Sequence, residues 1–170
     1  MRLSLSLIFA AFLILSGCEK IKDATSIKVD TSFNVDFPVT TNQSKATAST
    51  FSQTEVLSLA DNSDLESYLS RIDEIDLSNV VITVEGLSEG QTINTLSLSA
   101  EGIGTILTVT DITMVNNTFT PEVSSSILTQ MGNKLNSDGS LTFTVSGETS
   151  GPMTFVVSAG MDAKVKVETL

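Results

Sequence analysis

The 170-residue chain has no histidine and no tryptophan, one tyrosine, one cysteine and three prolines, and only nine basic residues against twenty acidic ones. Each shortage closes off a chemistry. Without histidine there is no Ser-His-Asp or Cys-His catalysis, and the usual zinc and iron sites are missing their commonest ligand. A single cysteine has no intramolecular disulfide partner, so the fold rests on its core and its backbone ladder. The shortage of large aromatics removes the platforms on which glycosidases grip sugars. A formal net charge of −11 disfavours nucleic acid, which needs Lys and Arg on its phosphates. It also disfavours adsorption to anionic lipid headgroups. No glycine-rich phosphate loop is present, because the glycines fall in hairpin positions.

What the chain does have begins at its start, MRLSLSLIFAAFLILSGCEK. Arg2 is the only charge before Glu19, and the run from Leu3 to Leu15 is apolar apart from Ser4 and Ser6. A short basic start followed by such a run is the layout of a secretory signal. It falls short of the ~20 apolar residues that a spanning helix needs.

Leu15-Ser16-Gly17-Cys18 resembles the lipobox of bacterial lipoproteins. Small residues before the cut fit a peptidase site, and only a thiol can take the diacylglycerol thioether. The resemblance implies cleavage between Gly17 and Cys18, with acyl chains on Cys18. Two or more chains give stable anchoring, at ~0.8 kcal/mol per buried methylene. In many such Gram-negative proteins an Asp after the Cys retains the protein in the inner membrane. The residue here is Glu19, so the pattern implies lipid anchoring in the outer membrane, on the periplasmic or the cell-surface side. The mature part is similar in texture to small uncharacterised lipoproteins of Bacteroidetes-type Gram-negative bacteria.

Three segments are therefore expected: a signal peptide over 1–17, an acylated cysteine and tether over 18–25, and one domain over 26–170. Removing residues 1–17 leaves 153 residues carrying twenty acids and eight bases, since Arg2 is lost. A domain of that size buries ~70% of its unfolded surface. Ser and Thr exceed a quarter of the chain. At strand spacing among Val and Ile they suit a pleated surface.

Ile27, Val29, Thr31, Phe33, Val35, Phe37 and Val39 alternate with polar residues, the cleanest period-two signal in the sequence. Pro38 falls on the outward parity, where a sheet edge or a bulge can hold it. A second strand is predicted over 46–59. Ser63 and Glu66 fit a capping box, and Leu65, Tyr68, Leu69 and Ile72 follow at helical spacing. Strands follow over 77–85, 92–100 and 105–115, the last with apolar residues on both faces and so a candidate central strand. Asn116-Asn117 reads as a left-handed turn pair. Thr120-Pro121-Glu122 predicts a second helix start, with Val123, Ile127, Met131 and Leu135 on one face and Gly132 weakening it. Further strands are expected at 141–145, 153–157 and 163–169, with a hairpin at Gly160-Met161-Asp162. Residues 80–90 and 141–151 resemble each other, and each follows a predicted helix.

The predicted architecture is mainly β: an antiparallel sandwich of about eight strands with two short helices capping it. A half-open barrel plugged by the helices is the alternative. The candidate chemical groups are few. Asp73, Glu74 and Asp76, with Asp61 and Asp64, could form a carboxylate pair for glycoside cleavage, or solvated loop acids. Asp61-Asn62-Ser63-Asp64 offers oxygen ligands for calcium but lacks the glycine and distal Glu of a calcium loop, and a helix cap accounts for it more simply. Asn42-Gln43-Ser44 and Asn116-Asn117-Thr118 match the glycosylation triplet. No catalytic residue, metal site or cofactor is assigned. The expectation is a non-enzymatic envelope module that binds or assembles with another envelope component, exposing an apolar or sheet-edge patch. A carrier of a lipid or other apolar ligand is the alternative, and a carboxylate hydrolase a lesser one.

Overall fold

A computed structural model describes residues 26–42 and 48–169. Two four-stranded antiparallel sheets pack face to face. The first has the order β1 (Ser26–Thr41), β8 (Met153–Glu168), β3 (Ile72–Glu85) and β6 (Thr118–Phe119). The second has the order β2 (Ser49–Ser58), β7 (Ser140–Thr149), β4 (Thr92–Ala100) and β5 (Gly104–Thr113). The single α-helix among the described residues, α1, spans Ser125–Asp138. The two sheets are separate layers, so the architecture is the sandwich and not the half-open barrel.

Period-two patterning decides which side chains go inside. In β1, Phe33, Val35, Phe37 and Val39 are buried while their neighbours face water, and Pro38 sits outward on an edge strand, where a sheet tolerates proline. In β8 the alternation runs unbroken from Met153 to Val167. The hairpin expected at Gly160-Met161-Asp162 is therefore absent. Gly160 pairs with Asn34 on one side and Val81 on the other, in the middle of a 16-residue strand. Met161 is buried, on the same parity as Ala163 and Val165. Between the sheets, the rings of Phe51 (β2) and Phe155 (β8) meet edge to face at 5.3 Å.

In β3 the inward parity changes from Ile75 and Leu77 to Val80, Ile82 and Val84. The register against β8 shifts between Ser78 and Val81, and Asn79 adopts a left-handed φ of 47°. One extra residue in the strand thus brings both halves of β3 onto the core. The Asn79 amide donates to the Asp162 carboxylate, 2.8 Å away.

The first predicted helix does not form. Residues 59–71 run as successive tight turns, with backbone bonds from Asn62 to Leu59, Leu65 to Asn62, Tyr68 to Leu65 and Arg71 to Tyr68. This segment carries the chain from the second sheet to the first and is tied to β1 on the way. Asn62 Nδ2 donates to the Ser32 carbonyl at 3.0 Å and to Thr31 Oγ1 at 3.1 Å. Asn62 Oδ1, rather than Ser63, accepts the Asp64 N–H. Leu65 is fully buried and Tyr68 and Ile72 pack partly against the core, but Leu69 is exposed, so the apolar stripe that would stabilise a helix is incomplete.

The second helix begins later than predicted. Residues 120–124 are irregular, and Ser124 rather than Thr120 is the N-cap, its hydroxyl accepting the Ile127 N–H. Gly139 closes the helix in the left-handed conformation, donating to the Leu135 carbonyl. Met131 and Leu135 are fully buried. Along β3, α1 takes the place of a neighbouring strand: Asn136 Nδ2 donates to the Asp73 carbonyl at 2.9 Å, and Gly132 lies against the Ile75 carbonyl.

Three further expectations change. β5 is an edge strand, not a central one. Its two adjacent buried residues, Ile106 and Leu107, lie where the pairing with β4 slips by one. Asn116-Asn117 does form a turn, yet neither residue is left-handed; Asp111 in β5 is, with φ 56°. The similar segments 80–90 and 141–151 both place a buried strand before a turn into the opposite sheet, but only the second follows an α-helix.

Candidate functional site

The candidate acids occupy two separate neighbourhoods. Near β1, the Asp64 carboxylate accepts the Thr31 hydroxyl at 2.8 Å, and Asp61 is exposed on the turn before it. On the outer face of the first sheet, Glu74 and Asp76 lie in register with Lys166 and Lys164 of β8. Asp73 pairs with the Lys166 ammonium at 3.3 Å. Among the described residues no group of three or more His, Cys, Asp and Glu side chains is placed to hold a metal ion. Asp61-Asn62-Ser63-Asp64 instead binds the crossover to β1.

The strongest contrast in the molecule is between its two outer faces. That of the first sheet is charged. One rung reads Lys28–Lys166–Glu74 across β1, β8 and β3, and the next Asp30–Lys164–Asp76. Lys28 and Lys166 repel, but the opposite charges side by side, Lys166–Glu74, Asp30–Lys164 and Lys164–Asp76, attract, each exposed pair contributing ~0.2–1 kcal/mol.

The outer face of the second sheet is built of hydroxyls. Across β2, β7, β4 and β5 one rung reads Ser52–Ser146–Ser97–Thr108 and the next Thr54–Thr144–Ser99–Thr105. A third, Thr50–Glu148–Thr95–Thr110, holds the one charge of the three rungs. The positions between these rungs point inward and are largely apolar, so the pleat itself aligns the hydroxyls. Thr54 Oγ1 and Thr144 Oγ1 are 2.9 Å apart, as are Ser97 Oγ and Thr108 Oγ1, and Ser99 donates to the Thr144 carbonyl. A hydroxyl has one proton and two lone pairs. A bonded pair therefore keeps one free proton and several free lone pairs for an external partner.

This face escapes a search for motifs, because serine and threonine are ordinary strand residues. The signal was present nonetheless. Thr50-Phe51-Ser52-Gln53-Thr54, Thr95-Leu96-Ser97-Leu98-Ser99 and Thr142-Phe143-Thr144-Val145-Ser146 each alternate a hydroxyl with an inward residue.

Other surface features are smaller. Val115 is 89% exposed and Met114 51% exposed at the tip between β5 and β6, and no strand among the described residues covers the outer edge of β5. A groove of about 270 Å³ runs between the β1 and β2 edges past Ser32, Asn34, Val56 and Asn62. Another, of about 420 Å³, lies beside Asn79, Thr120, Pro121 and Leu128. Both have polar side chains in their walls. No helix among the described residues is long and apolar enough to cross a membrane.

Gly17 and Cys18, with the rest of the expected signal and tether, lie outside the described residues, as do Gln43 and Ser44 of the first glycosylation triplet. Asn116-Asn117-Thr118 sits in the turn leading into β6.

No protein-family model matches this chain, and no curated protein matches it. A solved structure from Desmodium yellow mottle tymovirus aligns over 84% of this chain and 89% of its own, at 11% identity and a TM-score of 0.28. A likeness at that level carries no argument about fold or function.

Proposed function

We propose that the protein is an envelope lipoprotein, anchored in the outer membrane through acyl chains on Cys18, whose β-sandwich is a non-catalytic binding or assembly module. The observation that carries this reading is the lipobox Leu15-Ser16-Gly17-Cys18 at the end of a short apolar run. The first strand starts at Ser26, so seven residues, or eight Cα–Cα steps, separate it from the anchor. A linker of that length reaches at most about 28 Å, which keeps the domain close to the bilayer.

Two features support a module over the other readings. Of the carboxylates a hydrolase would use, Asp64 accepts a hydrogen bond from β1, Asp73 pairs with Lys166, and Glu74 and Asp76 lie in register with lysines of β8, so they are spread over two neighbourhoods and not gathered in one cleft. The phenylalanines and leucines that would surround a carried lipid belong to one packed cluster between the sheets. Meanwhile the β5 edge and the Met114–Val115 tip are open to a partner.

Mass spectrometry of the native protein tests the anchor. The expected result is loss of residues 1–17 and an acylated Cys18, with Cys18→Ser moving the protein out of the membrane fraction. An intact Met1, or an unmodified sulfur at position 18, would sink the proposal.

A further inference from the structure

We infer that the hydroxyl face of the second sheet is a docking surface for an uncharged glycan chain. The inference deepens the module reading by giving the module a partner.

The two outer faces of the sandwich meet the same solvent, and charge alone would keep both wet. The first sheet uses Lys, Asp and Glu for that purpose. Over three rungs and four strands the second sheet uses only Ser and Thr, apart from Glu148. A chain with net charge −11 has thus kept one broad face almost free of charge. Such a face does not repel a neutral polymer and gives little hold to an anionic or cationic one.

The hydrogen-bonding chemistry also matches. Every hydroxyl both donates and accepts, as every sugar hydroxyl does, so no fixed pattern of donors is demanded of the ligand. A rung across four strands presents hydroxyls about 4.8 Å apart over about 14 Å, and successive rungs repeat at about 7 Å. A polymer with repeated hydroxyls can engage several of them at once. The face has no aromatic ring on which a sugar could stack, so each site binds weakly. Retention then comes from many tethered copies meeting one polymer.

The test uses the full chain, exported, extracted in detergent with its anchor, and incubated with three neutral matrices: cellulose, insoluble β-1,3-glucan and cross-linked dextran. We expect retention on at least one. The triple variant Thr54→Val, Thr108→Val, Thr144→Val keeps side-chain shape and strand preference but removes hydroxyls, and should lower retention at least tenfold. The matching triple Thr→Ser variant should stay within twofold of the parent. Lys164→Ser, on the opposite face, should have no effect. Partition into the detergent phase scores the anchor separately, and all variants should retain it. The inference is overturned if no matrix retains the parent protein, or if the valine variant binds equally well. It is also overturned if the serine variant loses binding as fully as the valine one, or if sedimentation shows a parent dimer that the valine variant abolishes.

Discussion

Gly132 of α1 lies directly on the carbonyl oxygen of Ile75 in β3, so close that a Cβ built at position 132 would overlap it. By intrinsic propensity a glycine inside a helix costs about 1 kcal/mol relative to alanine. Here the missing side chain is what lets the helix cover the part of β3 that β6 does not reach. Gly132→Ala should therefore destabilise the domain, by about 1–3 kcal/mol, the usual range for overpacking. Urea unfolding of the two forms checks this. A variant more stable than the parent would mean that the helix does not approach the strand so closely.

Asn62 should matter more than its place in a surface crossover suggests. It bonds to β1 through its amide and accepts the Asp64 N–H through its carbonyl. Asn62→Ala is expected to cost about 1–2 kcal/mol. Faster amide exchange at Leu65 and Tyr68 should accompany it, because their turns hang on that attachment. Unchanged exchange there would contradict the assignment.

Asp111 holds a left-handed φ inside a strand, where a β-branched residue is strained. Valine is the better strand former, yet Asp111→Gly should be more stable than Asp111→Val by about 1–2 kcal/mol. Thermal unfolding of the pair gives the answer, and the reverse order would mean that position 111 is not held left-handed in β5.

The hydrogen bond from Lys134, followed by that from Ser137, holds the Asp138 carboxyl below its ordinary value. A carboxylate whose folded pKa is depressed adds stability that is present above its unfolded pKa. That stability is lost as pH falls through the folded one. NMR titration should find Asp138 protonating at lower pH than a free aspartate, and Lys134→Ala should move it back up. Both groups are at the surface, so the global effect is small and salt reduces it.

Much of the fold was legible in the sequence. The alternation from Ile27 to Val39 identified β1, and the same signal located β3, β4 and β7 to within a few residues. Two errors in strand reading offset one another. The unbroken parity from Met153 to Val167 argued for one strand, but Gly160 beside Asp162 resembled a turn, and β8 was divided. The two-residue β6 left no trace, because Thr118 and Phe119 make no pattern alone. The helix expected from Leu65, Tyr68, Leu69 and Ile72 failed for a different reason. The spacing was right, but a stripe needs a surface to bury against, and the crossover buries Leu65 fully, Tyr68 and Ile72 only in part, and leaves Leu69 exposed.

Of the candidate site, the sequence held the residues but not their arrangement. Asp61, Asp64, Asp73, Glu74 and Asp76 looked like possible partners because they are close in the chain. The structure divides them between a crossover tie and a charge ladder. The hydroxyl face has the opposite character. Its rungs join residues such as Ser52, Ser146, Ser97 and Thr108, which become neighbours only through strand pairing.

By itself, the sequence determined most of the strands, though not the unity of β8 or the existence of β6, and which of their residues face the core, because a period of two is a local property of the pleat. It also determined the absence of histidine and disulfide chemistry, and the proposed anchor rests on Leu15-Ser16-Gly17-Cys18, which is contiguous in the chain. Only the tertiary structure decided which strands are neighbours, which lie at edges, and which polar side chains share a face. Those follow from register between segments more than a hundred residues apart, as in β1 and β8, and no local pattern encodes register.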